Sequence, residues 1–267
     1  MTTHTSKQTS KQTIIMIHGF RGTHHGLSLI ADHLSEFDII TPDLPGFAKG
    51  DTMDMYDLDS YVAWLKDFII KQKLATPPIL LGHSFGSIVS AAYAAKYQDT
   101  ISQLILVNPI GAPALEGPRG VLSKLAVFYY WLGTKLPDSF AQKWLASNTI
   151  VMVMSVTMAK TKDKKLRAFI HDQHRKYFSL FHTATSVAES FKTSVSNNVR
   201  TFAPAITIRT LLIAGAEDDI TPLAKQKELQ QLFPHAQLEI IEHVGHLTHY
   251  ETPDQVAGFV QAFINEV

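Results

Sequence analysis

Along the chain, short apolar runs alternate with longer stretches in which apolar residues recur every three or four positions. Six runs are nearly continuous: "TIIMIHG" (Thr13 to Gly19), "FDIITPDLPG" (Phe37 to Gly46), "PILLGHS" (Pro78 to Ser84), "SQLILVNP" (Ser102 to Pro109), "RTLLIAGAEDD" (Arg209 to Asp219) and "QLEIIEHVGH" (Gln237 to His246). A half-solvated strand alternates apolar and polar residues, whereas a strand buried on both faces of a parallel sheet does not, so these runs predict such a sheet. Helical spacing lies between several of them, over Leu27 to Ser35, Asp57 to Lys73, Ser84 to Tyr97, Pro222 to Leu232 and Pro253 to Ile264. The βαβα order predicts an α/β domain with a mostly parallel central sheet flanked by helices and joined by right-handed crossovers. In sheets of this kind the active groups gather at the carboxyl ends of the strands.

One segment breaks the rhythm. From Gly111 to Pro204 no strand-like run appears; "RGVLSKLAVFYYWLGTKL", "DSFAQKWLASNTIVMVMSVTMA" and "DKKLRAFIHDQHRKYFSLFHTATSVAESF" are helical in pattern and rich in aromatic residues and Met. A structureless loop of that length does not suit a compact domain. Residues 111–204 are therefore expected to form an inserted helical lid over the carboxyl edge of a core made of residues 13–110 and 205–267. A helical extension that only adds core is the plainer alternative. Residues 1–12 are polar, repeat Ser-Lys-Gln-Thr, and read as a tail or a marginal edge strand.

Composition narrows the partners. A chain of 267 residues, 45% hydrophobic, can bury a sizeable core. Lys and Arg together number 24, as do Asp and Glu, so the overall balance gives no footprint for nucleic acid or an anionic membrane, and a small molecule is the expected partner. The absence of cysteine excludes disulfides, Cys-ligated zinc and a cysteine nucleophile, and fits a reducing compartment. The opening "MTTHTSKQTSKQT" lacks the apolar region of a secretory signal, and no run approaches the roughly 20 apolar residues that span a bilayer. The expectation is a soluble cytoplasmic protein without stable membrane insertion.

The most informative stretch is "ILLGHSFGSIVSAAYAA", Ile79 to Ala95. An apolar strand running through Gly-x-Ser-x-Gly into a helix predicts a nucleophile elbow, in which a strained turn lifts Ser84 above the sheet at a helix N-terminus and the glycines permit close approach of neighbouring chain. A serine hydroxyl is a weak nucleophile and needs a base, which needs an orienting group. In "EHVGHLTHYETP" three histidines, His243, His246 and His249, are spaced by threes. A metal site is a weak reading, because Gly245 does not suit a helical face and no carboxylate stands at ligand spacing. His246, in a loop before the helix at Pro253, is the candidate base, and the other two read as surface or packing residues. For the acid, Glu217, Asp218 and Asp219 end the fifth run, and chemistry alone does not choose among them. Asn108, at the end of the fourth run, carries no charge.

The order Ser84, acid, His246, with "HGF" after the first run and "DLPGF" after the second, resembles the α/β-hydrolase superfamily over nearly the whole chain beyond Thr13. The likeness is greatest to its lid-bearing serine esterases, lipases and carbon–carbon bond hydrolases. The resemblance implies Asp218 as the acid, since a family pattern Gly-x-x-Asp-x-x-x-Pro aligns with Gly215, Asp218 and Pro222. It implies an oxyanion hole from the backbone N–H groups of Phe20 and Phe85, with His18 bracing the loop and Asp43 forming a turn. It also implies cleavage of carboxyl esters, medium-chain or monoacylglycerol-like, through an acyl-enzyme and with neither metal nor organic cofactor. Lactones, thioesters, carbon–carbon bond cleavage, cofactor-free haloperoxidation or perhydrolysis, and a non-catalytic binding role are the alternatives. Ser84 departs from the aspartate nucleophile of epoxide hydrolases and haloalkane dehalogenases, Arg21 replaces the proline that epoxide hydrolases carry after His-Gly-Phe, and the short front implies a reduced or missing first hairpin. In the lid, "VFYYWLG" and "IVMVMSVTM" suit either an apolar acyl pocket or the lid's own packing. Arg21, His24 and His25 suit either the pocket entrance, binding a polar substrate end, or solvent.

Overall fold

Because each apolar run can bury both of its faces, the six assemble into one sheet. In the computed structural model, which describes residues 11–113 and 120–266, they are β1 (Thr13–Ile17), β2 (Asp38–Ile40), β3 (Ile79–His83), β4 (Gln103–Val107), β5 (Thr210–Gly215) and β6 (Ala236–Ile241). Their order is β2-β1-β3-β4-β5-β6 with every strand pair parallel. Residues 1–10 of the expected polar tail lie outside the described residues. The helices are α1 (Ser28–Asp32), α2 (Leu58–Lys71), α3 (Phe85–Tyr97), α4 (Gly120–Gly133), α5 (Asp138–Leu145), α6 (Asn148–Met158), α7 (Lys164–Tyr177), α8 (Ala184–Ser196), α9 (Leu223–Gln230), α10 (Thr248–Glu251) and α11 (Pro253–Asn265).

The period of two along each strand divides the apolar runs between two layers. Ile15, Ile17, Leu80, Leu104, Leu106 and Leu212 join the layer that holds Val62 and Leu65 of α2 and Ile88 and Val89 of α3. Ile14, Met16, Leu81, Ile105, Val107 and Ile213 join the opposite layer, with Ile30 of α1 and Val256, Val260 and Phe263 of α11. Complete burial of such a side chain stabilises the fold by about 1.5–3 kcal/mol. Both helical layers are therefore needed over the central strands β1, β3, β4 and β5, which are buried almost throughout. The edge strands β2 and β6, expected to be buried on both faces, are only partly covered because each has a neighbour on one side alone.

Two elements are shorter than their sequence pattern. The second run pairs only over Asp38–Ile40, and Pro42, which has no N–H to give a ladder, follows two residues later. The helix expected over Leu27 to Ser35 is a 3-10 turn at His24–Leu27 followed by the single α-helical turn of α1. By contrast α2 starts where its cap dictates, with Asp57 accepting a 2.8 Å hydrogen bond from Ser60 N–H.

From β1 the chain moves outward to β2 and then crosses back to β3 on the other side of β1. The carboxyl ends of β1 and β3 thus border the crevice where the order reverses, the usual location of a ligand site in an open α/β sheet. Between β4 and β5 the described chain is helical, and two of the three predicted helical stretches each divide in two. Pro137 N-caps α5, Asp163 caps α7 through the N–H groups of Lys165 and Leu166, and Thr183 with Ser186 forms a capping box at α8. Among the described residues no helix is long and apolar enough to cross a membrane.

Candidate active site

Ser84 alone makes the turn from β3 to α3, with φ 54° and ψ −117°. A non-glycine residue in such a conformation costs about 1–3 kcal/mol and persists only where its surroundings fix it. Here Ser84 N–H donates to Val107 O on the neighbouring strand at 3.1 Å. The flanking glycines serve space rather than conformation: a Cβ on Gly82 would collide with the Gly86 carbonyl, and one on Gly86 with the Ile17 carbonyl.

His246, in the loop after β6, sets Nε2 2.8 Å from Ser84 Oγ and Nδ1 2.7 Å from Asp218 Oδ2. A carboxylate only accepts, so Nδ1 carries the proton and Nε2 is free to accept the serine hydroxyl. Asp218 is buried. Its Oδ1 accepts from the backbone N–H groups of Ile220 and Thr221, and its Oδ2 from Thr221 Oγ1 and, at 2.9 Å, from Asn108 Nδ2. Burial pushes this carboxyl up, but the electrostatic attraction and hydrogen bond of the His246 ring and the two bonds from Thr221 outweigh it and hold the group well below the usual carboxylate range.

The neighbouring carboxylates point elsewhere. Asp219 is largely exposed and pairs with Lys160, while Glu217 lies 3.5 Å from the exposed His243. Of the three candidates for the acid, only Asp218 reaches His246. Asn108, considered as a place for an acid, instead donates to one and receives a hydrogen bond from Thr248. Its φ of 45° explains an asparagine at a strand end, since asparagine tolerates the left-handed region. Thr221 and Thr248 are isolated hydroxyls in sequence, and no pattern marks them.

The loop after β1 supplies the other side of the site. His18 is neutral by its partners: Leu44 N–H donates to Nε2 and Nδ1–H donates to Gly19 O, both at 2.8 Å. Burial lowers its pKa to about 4. Phe20 follows Gly19, and Phe85 opens α3, where first-turn N–H groups have no intrahelical acceptor. Arg21 neither lines the entrance nor meets solvent. It is buried and donates to Phe178 O (2.6 Å), Leu145 O (3.0 Å) and Tyr130 Oη (3.2 Å), so it fastens this loop to α4, α5 and the end of α7. His24 binds Asp43 at 2.9 Å, and His25 stacks on Tyr177 at the rim. The histidine triplet does not converge, for His249 is buried against His83 with ring centroids 4.2 Å apart.

Above Ser84 and His246 opens a cavity of about 640 Å³. Gly19, His83 and Leu247 line it from the sheet side, and Ala126 (α4), Met154 and Met158 (α6), Tyr177 (α7) and Phe191 (α8) from the helices between β4 and β5. The two stretches differ: in "IVMVMSVTM", Met154 and Met158 face the cavity while Val153 and Val156 are exposed, whereas no residue of "VFYYWLG" lines the cavity, Phe128 and Trp131 being exposed and Tyr130 buried in the core. Burial lowers the pKa of His83 to about 3 and of His174 to about 4, so these two of the histidines lining the cavity are neutral near pH 7. Such a site can take a largely apolar molecule with one polar group at Ser84.

Comparison with known proteins gives a consistent result. The family model described as "alpha/beta hydrolase fold" matches residues 12–253. Lipase 3 of Moraxella sp. (strain TA144) is 26% identical over 268 residues, covering 94% of this chain and 77% of its own. Monoacylglycerol lipase ABHD6 of Homo sapiens is 24% identical, covering 96% and 76%. The structure of a thermophilic esterase from Thermogutta terrifontis superposes with a TM-score of 0.78 at 19% identity, covering 96% of this chain and 90% of that one.

Proposed function

As this chain belongs to the α/β-hydrolase fold family, we propose that it is a carboxylic ester hydrolase working through Ser84, His246 and Asp218. The observation that carries the reading is the continuous hydrogen-bonded line from Ser84 Oγ through His246 to Asp218, at 2.8 and 2.7 Å, on the floor of an apolar cavity. Ser84 Oγ attacks the ester carbonyl while its proton passes to His246 Nε2. The resulting oxyanion accepts from the N–H groups of Phe20 and Phe85, donors of a kind whose loss costs about 2.7–4 kcal/mol of transition-state stabilisation. His246 returns the proton to the departing alkoxide, leaving an acyl-enzyme. A water molecule deprotonated by His246 then attacks the acyl carbon and frees Ser84 and the acid. Asp218 stays ionised throughout, holding the tautomer and balancing the imidazolium.

The substrate reading is a medium-chain acyl ester or a monoacylglycerol-like ester. The apolar lining favours it, as do the names of the lipase relatives. In the same reading residues 111–204 are a cap whose helices roof the pocket, with Arg21 joining that roof to the oxyanion loop. Hydrolysis of p-nitrophenyl esters from acetyl to palmitoyl tests the proposal. Wild type should show an optimum at intermediate length, and Ser84→Ala should lower kcat/KM by roughly 10⁴–10⁶-fold with an unchanged unfolding midpoint. Ester hydrolysis that survives in Ser84→Ala would overturn it.

A further inference from the structure

The chain is neutral as a whole, but its charge is sharply divided. Residues 111–204 hold 13 Lys and Arg against 5 Asp and Glu, which leaves 11 against 19 for the rest of the chain. The same segment carries nine of the twelve large apolar side chains exposed among the described residues. Positive charge and uncovered apolar surface thus coincide on one part of the molecule.

They coincide most closely on α4. Lys124, Phe128, Trp131 and Lys135 follow spacings of four, three and four, which a helix sets along one stripe. Phe128 and Trp131 are 57% and 50% exposed and stack at 5.6 Å, and Lys135 Nζ lies 5.6 Å from the centre of the Trp131 ring. Ala126 and Tyr130, on the opposite side of the helix, face the cavity and the core. The apolar surface continues onto α5, where Phe140 and Trp144 are 65% and 43% exposed. Tyr129 packs on Trp144 with ring centroids 5.4 Å apart, and an open groove of about 490 Å³ runs past Lys143 to Ile150 of α6. Asp138 is the sole acid between residues 120 and 158.

We propose that the α4–α6 face docks on an anionic lipid surface. Aromatic and aliphatic side chains flanked by lysines are the composition that settles at the boundary between headgroups and acyl chains, with the ammonium groups drawn to anionic headgroups and the rings inserted beside them. A patch of this extent on a single chain marks an interaction site, and its lysines select a negatively charged partner. Docking here is peripheral. It places α4 as the wall between the lipid surface and the cavity.

Co-sedimentation with vesicles of phosphatidylcholine alone and of phosphatidylcholine mixed with phosphatidylglycerol tests the proposal with the full chain, at low and at high salt. The expected result is binding to the mixed vesicles, weakened by salt, and much less to the neutral ones. Lys124→Glu with Lys135→Glu should weaken that binding by at least roughly fivefold per lysine. Phe128→Ser with Trp131→Ser should reduce it even at low salt. Neither pair touches the cavity, so thermal melts and hydrolysis of a soluble short-chain ester should match wild type, and the vesicle result stands even if the esterase reading fails. Equal binding to both vesicles, or binding unaffected by either pair of substitutions, would overturn the proposal. So would a chain that ignores vesicles but elutes as a dimer that Trp131→Ser disperses, which would assign the face to a second copy.

Discussion

At the carboxyl edge of the sheet, the Asp218 carboxylate accepts from five donors and none of its surroundings is left to water. On α4, Phe128 and Trp131 stand half-exposed beside two lysines, with no comparable constraint on their side chains. The contrast reflects what each region must do. A buried polar group left unpaired costs about 1–3 kcal/mol, so the edge admits one arrangement and fixes reacting atoms to within a hydrogen bond. An exposed apolar group sacrifices little whichever way it turns, so the helical face suits a broad, fluid partner. On the two proposed readings, chemistry belongs where the molecule is over-determined, and recognition where it is not.

The sharpest way to break that comparison uses two adjacent carboxylates. Asp218→Asn keeps the shape of the buried site but removes the charge that holds His246 in its working tautomer, and activity should fall by roughly 10³–10⁴-fold in kcat. Asp219→Asn removes an exposed partner of Lys160 and should change activity less than about threefold, as befits a surface ion pair. The p-nitrophenyl ester assay on both variants decides the point. The reverse ranking would move the acid by one residue and detach the mechanism from the geometry.

Arg21 is the element that joins the two regions. Its guanidinium is buried, and among the described residues its partners are two carbonyls, a hydroxyl and the Phe181 ring; hydrogen bonds made by a charged donor contribute about 1.5–3 kcal/mol each. Arg21→Ala should lower the unfolding free energy by about 3 kcal/mol and also raise KM, because the loop after β1 loses its tie to α4 and α5. Urea denaturation and steady-state kinetics read the two effects. A stability loss with KM unchanged would show that the loop keeps its place without the helices.

How much of this was legible in the sequence follows the same division. The strands, the elbow and the His246 loop were readable because each depends on local rules: continuous apolar runs, glycines around one serine, and a loop histidine after the last strand. Selecting Asp218 over Asp219 needed the Gly215 and Pro222 spacing, since the two carboxylates differ only in the direction a turn gives them. Asn108 as a donor to the acid and Thr248 as the support of Asn108 were not found, because those contacts span 110 and 140 residues. Thr221, three residues after Asp218, was not found because only the geometry of the turn aims its N–H and hydroxyl at the carboxylate. Arg21 was misjudged as an entrance or solvent residue because a buried cation with no anionic partner among the described residues runs against the usual pattern. The overall charge balance also hid the basic helical segment, since the remainder of the chain cancels it.

The smallest effect concerns the histidine that braces the site. His18 is buried and neutral in the folded chain, with its pKa lowered by burial to about 4, whereas in the unfolded chain it takes up a proton near 6.5. As pH falls, the unfolded state binds that proton first. The stability His18 contributes is therefore complete above about pH 6.5 and is lost progressively toward pH 4, with a slope of roughly 1.4 kcal/mol per pH unit for one proton. Buried His83 and His174 add slopes of the same sign. Urea midpoints measured between pH 7.5 and 5 should fall in wild type and fall less steeply, by about one proton's share, in His18→Gln, whose amide oxygen can still accept from Leu44 N–H. Parallel slopes in the two proteins would mean that His18 titrates alike folded and unfolded, and that water reaches the loop behind the elbow.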